Sequence, residues 1–156
     1  MTNSASEKVT QFWMEFCRTV PAAVDEPYQV WFFGNSAEMA DELTELVLAG
    51  KKFATASLLK TNEIDPSTAP VADGYSVVTD FHGVPRCVLQ TTEIEHVRFC
   101  DVTAAFAAAE GEGDLSLDYW RRVHRDYFER EARQHGFVFD DEAIVCCERF
   151  RLLYKR

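Results

Sequence analysis

The sequence predicts an α+β domain in which helices flank a small, mostly antiparallel sheet, and three features carry that expectation. Apolar residues recur at helical spacing from Glu7 to Thr19 and again after Ser36. From Tyr75 to Ile94 the chain is rich in Val, Thr and aromatics around a His82-Gly83 turn, and Ala143 to Tyr154 has the β-branched, aromatic and cysteine content of a final strand. Helices outside a sheet of this kind give an α+β or barrel-centred architecture.

In the first segment Val9, Phe12, Trp13, Phe16 and Cys17 fall on one helical face, and Pro21 forbids much continuation. Tyr28 to Phe33 reads as a short aromatic run ending at Gly34-Asn35. Ser36 then caps a second helix with Met39, Ala40, Leu43, Leu46 and Val47 on one face, and Gly50 ends it. Lys60 to Asp73, with Pro66, Ser67 and Pro70, reads as an exposed loop leading to Gly74. Tyr75 to Phe81 and Val84 to Ile94 form a predicted hairpin. Asp101 to Glu110 is alanine-rich and helical in propensity until Gly111 and Gly113 break it. Asp114 or Ser116 caps a longer helix that runs to about Gln134 and stops at Gly136. The last strand is expected to have one solvated face, carrying Glu148.

At 156 residues and 47% hydrophobic content the chain can bury one core without disulfides or a structural metal. Residues 1–26 read as an N-terminal helical extension and 27–156 as the domain proper. The five cysteines, Cys17, Cys87, Cys100, Cys146 and Cys147, contain no CxxC pair and no matching His spacing, so buried free thiols are expected and no metal or cofactor. The polar start, Met1 to Glu7, carries no secretory signal pattern, and no apolar run approaches the roughly 20 residues of a membrane span, so a cytoplasmic protein is expected. A net charge of −10 argues against extended nucleic-acid binding, whose affinity comes from Lys and Arg neutralising phosphates.

Gly50-Lys51-Lys52-Phe53-Ala54-Thr55-Ala56-Ser57 resembles the GxKxxTxS/R signature of ASCH domains, which lies where a helix passes into the first barrel strand. Further matches follow in the family's order: Trp31-Phe32-Phe33-Gly34, Asp73-Gly74-Tyr75, and Val84 to Glu93. Glu110-Gly111-Glu112-Gly113-Asp114-Leu115-Ser116-Leu117, followed by Trp120 and His124, is similar to the longer bacterial branch. The resemblance implies a PUA-like small β-barrel flanked by helices. It implies a cleft at the barrel mouth, a partner that is RNA or a modified nucleoside rather than DNA, and in some branches hydrolysis of RNA or of an acylated cytidine amide. In the amide-hydrolysing branch a Lys, a Thr and a Glu form the catalytic group. Lys52 and Thr55 match directly, and Glu112 is the choice for the acid, with Glu110 as the alternative. Ser57, Glu110, Asp114, Ser116, Trp120 and His124 are the candidate ligand contacts.

Read from the residues alone, Lys52 beside Thr55 makes a nucleophilic pair if the amine is neutral and takes the hydroxyl proton; equally, Lys52 can hold an anion while Thr55 bonds within its strand. Glu110, Glu112 and Asp114 place three carboxylates in five residues, so one could act as proton donor or base. The plainer reading is a solvated helix terminus. Trp120, His124 and Tyr127 share one helical face, suited to stacking on a base, although a stripe at this spacing more often packs a core. Arg121, Arg122, Arg125, Arg130 and Arg133 are interleaved with Asp126, Glu129 and Glu131, the pattern of ion pairs on a solvated face, though a basic stripe beside the cleft is also open.

Overall fold

The computed structural model describes residues 2–156. Helix α1, Thr2–Thr19, is followed by strand β1, Tyr28–Trp31, and helix α2, Ala37–Leu48; then come β2, Ala54–Leu58, and α3, Leu59–Ile64. The second half contains β3, Tyr75–Thr79, β4, Pro85–Arg98, α4, Ala104–Glu110, α5, Leu117–His135, and β5, Ile144–Lys155. The five strands form one sheet in the order β1-β3-β4-β5-β2, with β1 parallel to β3 and every other pair antiparallel.

Three of the helices, α2, α4 and α5, begin at a side-chain cap. Ser36, Thr103 and Ser116 sit in extended conformation, and each hydroxyl accepts a hydrogen bond from the third following amide: Met39, Phe106 and Tyr119. The apolar face of α1 lies on the sheet, where Trp13 stacks on Tyr28 with ring centroids 4.3 Å apart and Phe12 meets Tyr154 edge-on at 5.2 Å. Val47 of α2 joins Phe33, Val78, Leu89 and Phe150. α4 and α5 cover another part of the sheet, burying Phe99, Phe106, Trp120 and Phe128 against Ala54, Leu58, Val145 and Cys147. No helix of the described residues is long and apolar enough to cross a membrane.

The α+β class is as the sequence reads, but the sheet does not close into a barrel: no ladder joins β1 to β2. β1 has four residues and β2 five, and the chain leaves β1 for α2 through Gly34 at φ +72°. Strands this short leave a gap where a barrel would be sealed. Register shifts at Val88/Leu89 and Thr91/Glu93 mark irregularities in the long central pair, the kind of bulge that bends a strand.

Two expectations are corrected. The segment after Lys60 is not wholly an exposed loop, because Thr61 and Asn62 of α3 are buried and Asp65 caps a short 3-10 turn over Pro66–Thr68. Two prolines in the sequence mask a helical turn that is fixed by docking rather than by apolar periodicity. Glu148 does not face solvent; it is 9% exposed and accepts a hydrogen bond from Thr91 Oγ1 at 2.6 Å.

The connection from α2 to β2 is clamped to the end of α4. Phe53 N–H donates to the Ala109 carbonyl at 3.0 Å, and Gly111, at φ +73°, passes so close that a Cβ would lie 2.2 Å from the Lys51 carbonyl oxygen. Gly50, at φ +74°, has open space around it. Gly111→Ala is therefore expected to cost about 2–4 kcal/mol from backbone strain and overpacking together. Gly50→Ala should cost about 1–2 kcal/mol, from conformation alone. Urea unfolding of the two variants side by side checks the difference.

Candidate functional site

The clamp brings two segments together that are 58 residues apart, and Lys52 is the result. Its side chain is buried, and its ammonium donates to Glu112 Oε1 at 3.2 Å, to Glu110 Oε1 at 3.5 Å and to the Glu110 carbonyl at 3.4 Å. Glu110 is itself only 1% exposed, while the Glu112 side chain keeps 14% of its surface open. The second Glu110 oxygen, Oε2, accepts from the Trp120 indole N–H and lies 2.8 Å from His124 Nε2.

His124 stacks on Trp120, with centroids 4.1 Å apart and planes 14° from parallel, and its Nδ1 lies 2.9 Å from the Trp120 carbonyl. Both ring nitrogens therefore face acceptors, the arrangement that suits an imidazolium. Burial pushes the His124 pKa down, but the adjacent Glu110 carboxylate overcomes it and raises it above the ordinary value. Burial pushes Glu110 the other way, upward; Lys52, His124 and the Trp120 hydrogen bond outweigh it and hold its carboxyl at about 2. Two cations thus balance two carboxylates in a nearly closed space.

This cluster ends a cleft. The narrow inner part, of about 90 Å³, is lined by Lys52, Glu110, Glu112 and His124 together with Thr55, Phe33 and Tyr127. The outer part, of about 310 Å³, shares Thr55, Phe33 and Tyr127 and continues past Ser57, Glu148, Trp31 and Phe32. Consecutive residues of β1 and of β2 line it, so the two unpaired sheet edges form opposite walls.

The profile of the ASCH domain matches residues 29–154. The chain belongs to the ASCH domain family. An ASCH domain from Lactobacillus crispatus JV V101 is similar at 28% identity and TM-score 0.88, over 95% of each chain. A protein from Enterococcus faecalis V583 is 31% identical at TM-score 0.84, over 94% of this chain and 88% of that one. A hypothetical protein at 12% identity and TM-score 0.51, over 80% of this chain and 97% of that one, is similar in fold alone. No curated protein matches the sequence. ASCH domains have a PUA-like fold associated with RNA binding.

Within this ASCH domain, Lys52, Thr55, Glu110, Glu112 and His124 are brought together in the inner cleft, and Ser57 lies in the outer part. No hydrogen bond joins Thr55 to the Lys52 ammonium, whose described partners are all on Glu110 and Glu112. Asp114 and Ser116 are not in the cleft: Ser116 caps α5, and Asp114 Oδ1 accepts from the Ser116 amide at 2.9 Å. Trp120 has no face open to a base, since it is buried among Phe99, Phe106 and His124 and serves to pin Glu110. Tyr127 does line the cleft, and burial, with Glu131 nearby, pushes its phenol up to about 12.

The arginines of α5 lie outside the cleft lining. Arg125 pairs with Asp141 at 2.5 Å and Arg130 with Asp126 at 3.1 Å, as expected of a solvated face. Glu110, Glu112 and His124 each offer one ligand atom within 4.8 Å of the others. A metal ion among them would have to displace the proton on His124 Nε2 and sit against the Lys52 ammonium, so the donor set fits a metal poorly. Sequence reasoning missed Glu148, which lies opposite Thr55 in the β2–β5 ladder and lines the outer cleft. Its signal was the pair itself, a carboxylate two residues from Phe150 on one strand face, legible only once the register is known.

Glu110→Gln is expected to lower stability at pH 7 by about 3–5 kcal/mol, because it leaves buried cations without their counter-charge. The sign with pH follows from the depressed carboxyl. The stability that Glu110 contributes is complete above its ordinary value of 4.5 and is lost as pH falls towards about 2. Urea midpoints measured across that window should fall for the wild type and show a flatter profile for Glu110→Gln.

Proposed function

We propose that the cleft takes one modified nucleoside, free or within a single RNA strand, and hydrolyses an amide on it, with N4-acylcytidine as the representative substrate. The observation that carries this reading is the Lys52 ammonium, anchored by Glu110 and Glu112 at the closed end of a cleft that also holds the Thr55 hydroxyl. The outer volume lies at the low end of the range of about 300–1,000 Å³ for small-molecule pockets, a size for one nucleoside rather than a folded RNA. The net charge of −10 favours the same choice.

In this reading the Thr55 oxygen attacks the acyl carbon and its proton passes to Glu112, the less buried carboxylate. The carbonyl oxygen gains negative charge, which the Lys52 ammonium stabilises. Collapse breaks the carbon–nitrogen bond, and the leaving amine takes the proton back from Glu112. Water, deprotonated by the same carboxylate, then attacks the acyl carbon, and as the ester bond breaks Glu112 returns that proton to the Thr55 oxygen, releasing the acyl group as a carboxylic acid. Lys52 acts here as a fixed cation rather than as the base, because both its charged partners are carboxylates. A cytoplasmic location and a 27–156 catalytic domain with a 1–26 helical extension belong to the same proposal.

A second reading, a binding module without chemistry, draws on the absence of a hydrogen bond between Thr55 and Lys52. Incubation with N4-acetylcytidine and with single-stranded RNA separates the two. Wild type is expected to release acetate from the nucleoside, and Thr55→Val and Glu112→Gln should each lower kcat/KM by at least about 10²-fold. Turnover of neither compound, with RNA bound in a steeply salt-dependent way, would replace the catalytic reading by the binding module. Cleavage of RNA alone would make the activity that of a ribonuclease.

A further inference from the structure

Glu148 is a titratable group of the outer cleft that the proposed chemistry does not use, and its surroundings are unusual for a structural residue. It is 9% exposed, yet its carboxylate has one hydrogen bond, from Thr91 Oγ1 to Oε1 at 2.6 Å; no described residue bonds to Oε2. Glu148 Oε2 is not among the sealed polar atoms left without a partner, so this oxygen opens on the cleft rather than into the core. Burial raises the Glu148 pKa, with the Thr91 hydrogen bond and the more distant Lys52 opposing it. A Gln or Thr at this position would pack the same strand pair without that penalty, and groups kept at a cost to stability concentrate at ligand sites.

The position of the free oxygen indicates what it meets. Thr55 and Glu148 are directly opposed in the β2–β5 ladder, and such pairs place their Cβ atoms about 4.5–5.5 Å apart on one face. Both line the outer cleft, beside Ser57. Ser57 Oγ accepts from Asn62 Nδ2 at 3.0 Å, and Thr68 Oγ1 in turn donates to Asn62 Oδ1 at 3.0 Å, so this wall is itself held in place. A ligand whose carbonyl carbon sits at Thr55 has its amide nitrogen one bond away, within reach of a carboxylate across the ladder. An ionised carboxylate only accepts, so it selects N–H and disfavours a carbonyl oxygen.

We propose that Glu148 reads the base: its free oxygen accepts the exocyclic N–H of a cytosine-type ring and rejects the keto group that uracil presents at the same place. Thr91 is a positioning residue, holding Oε1 so that Oε2 points to the ligand. This assignment rests on the proposed nucleoside site and names the class of base it takes, an amino or acylamino pyrimidine. A carboxylate accepting from the cytosine amino group is an established mode of base discrimination in nucleic-acid recognition.

The test is equilibrium binding of cytidine and of uridine, by calorimetry, to wild type, Glu148→Gln and Thr91→Val. Wild type is expected to favour cytidine by at least about tenfold. In Glu148→Gln the amide can turn either its oxygen or its nitrogen to the ligand, so the ratio of the two dissociation constants should fall to within about twofold of unity. Thr91→Val should lower the ratio part of the way. Thermal melting at pH 7 supplies a control for folding, and Glu148→Gln should melt no lower than wild type. If that variant does not fold, the Thr91→Val ratio decides in its place, and an unchanged ratio overturns the assignment. Equal binding of the two nucleosides by wild type, a preference for uridine, or a cytidine preference that survives Glu148→Gln also overturns it and leaves the nucleoside site standing. If wild type binds neither nucleoside, this assignment falls, while acetate release from N4-acetylcytidine decides the proposed function separately.

Discussion

The site depends on a buried ion pair between a lysine in the connection from α2 to β2 and a glutamate at the end of α4. Lys52 and Glu110 are each almost wholly removed from water, a placement that costs several kcal/mol per charge unless every partner is in position. Here the partners are in position. Glu112 shares the ammonium, while the Trp120 indole and the His124 ring occupy the other Glu110 oxygen. The side chains of α4, α5 and the α2–β2 connection meet at this point, and none can move far without uncovering a charge.

Such a cluster tolerates little change in the backbone that carries it. Gly111 supplies the left-handed turn that ends α4 and lets the chain pass against Lys51. The Phe53–Ala109 hydrogen bond ties the start of β2 to the same place. Sequence order has little to do with it: the signature around Lys52 and the glycine-rich acidic segment are one structural unit built from two distant stretches. Tying the α2–β2 connection to the end of α4 by packing and backbone hydrogen bonds holds Lys52, Glu110 and Glu112 at fixed spacing in a short cleft.

The fold and half of the site were legible in the sequence for identifiable reasons. Ser36 and Ser116 initiate helices by local chemistry, and the His82-Gly83 hairpin and the cysteine-rich last strand carry strand propensity in their composition. Lys52 and Thr55 were visible because they lie three residues apart in one motif. Between the two carboxylates, the sequence could not apportion roles. Glu110 and Glu112 flank a glycine and look equivalent, and only the packing of Trp120 and His124 makes the first a buried anchor and the second the accessible group. For Trp120, helical spacing gives a shared face without saying what covers it, so stacking surface and core packing stayed open until its neighbours were known. Glu148 was misread because alternation along β5 distinguishes two faces and is silent on whether the charged one meets solvent or the cleft.

The gap between β1 and β2 has a consequence for how the protein behaves among its neighbours. An open sheet offers unpaired amides and carbonyls at each margin, and such margins recruit strands from other molecules. In this sheet residues of both margins line the same cleft, Trp31 of β1 together with Thr55 and Ser57 of β2. A passing chain would have to thread the cleft to add itself to either one. The missing seam therefore leaves an opening with a sheet margin on each side, so that a strand added to either margin would have to enter the cleft.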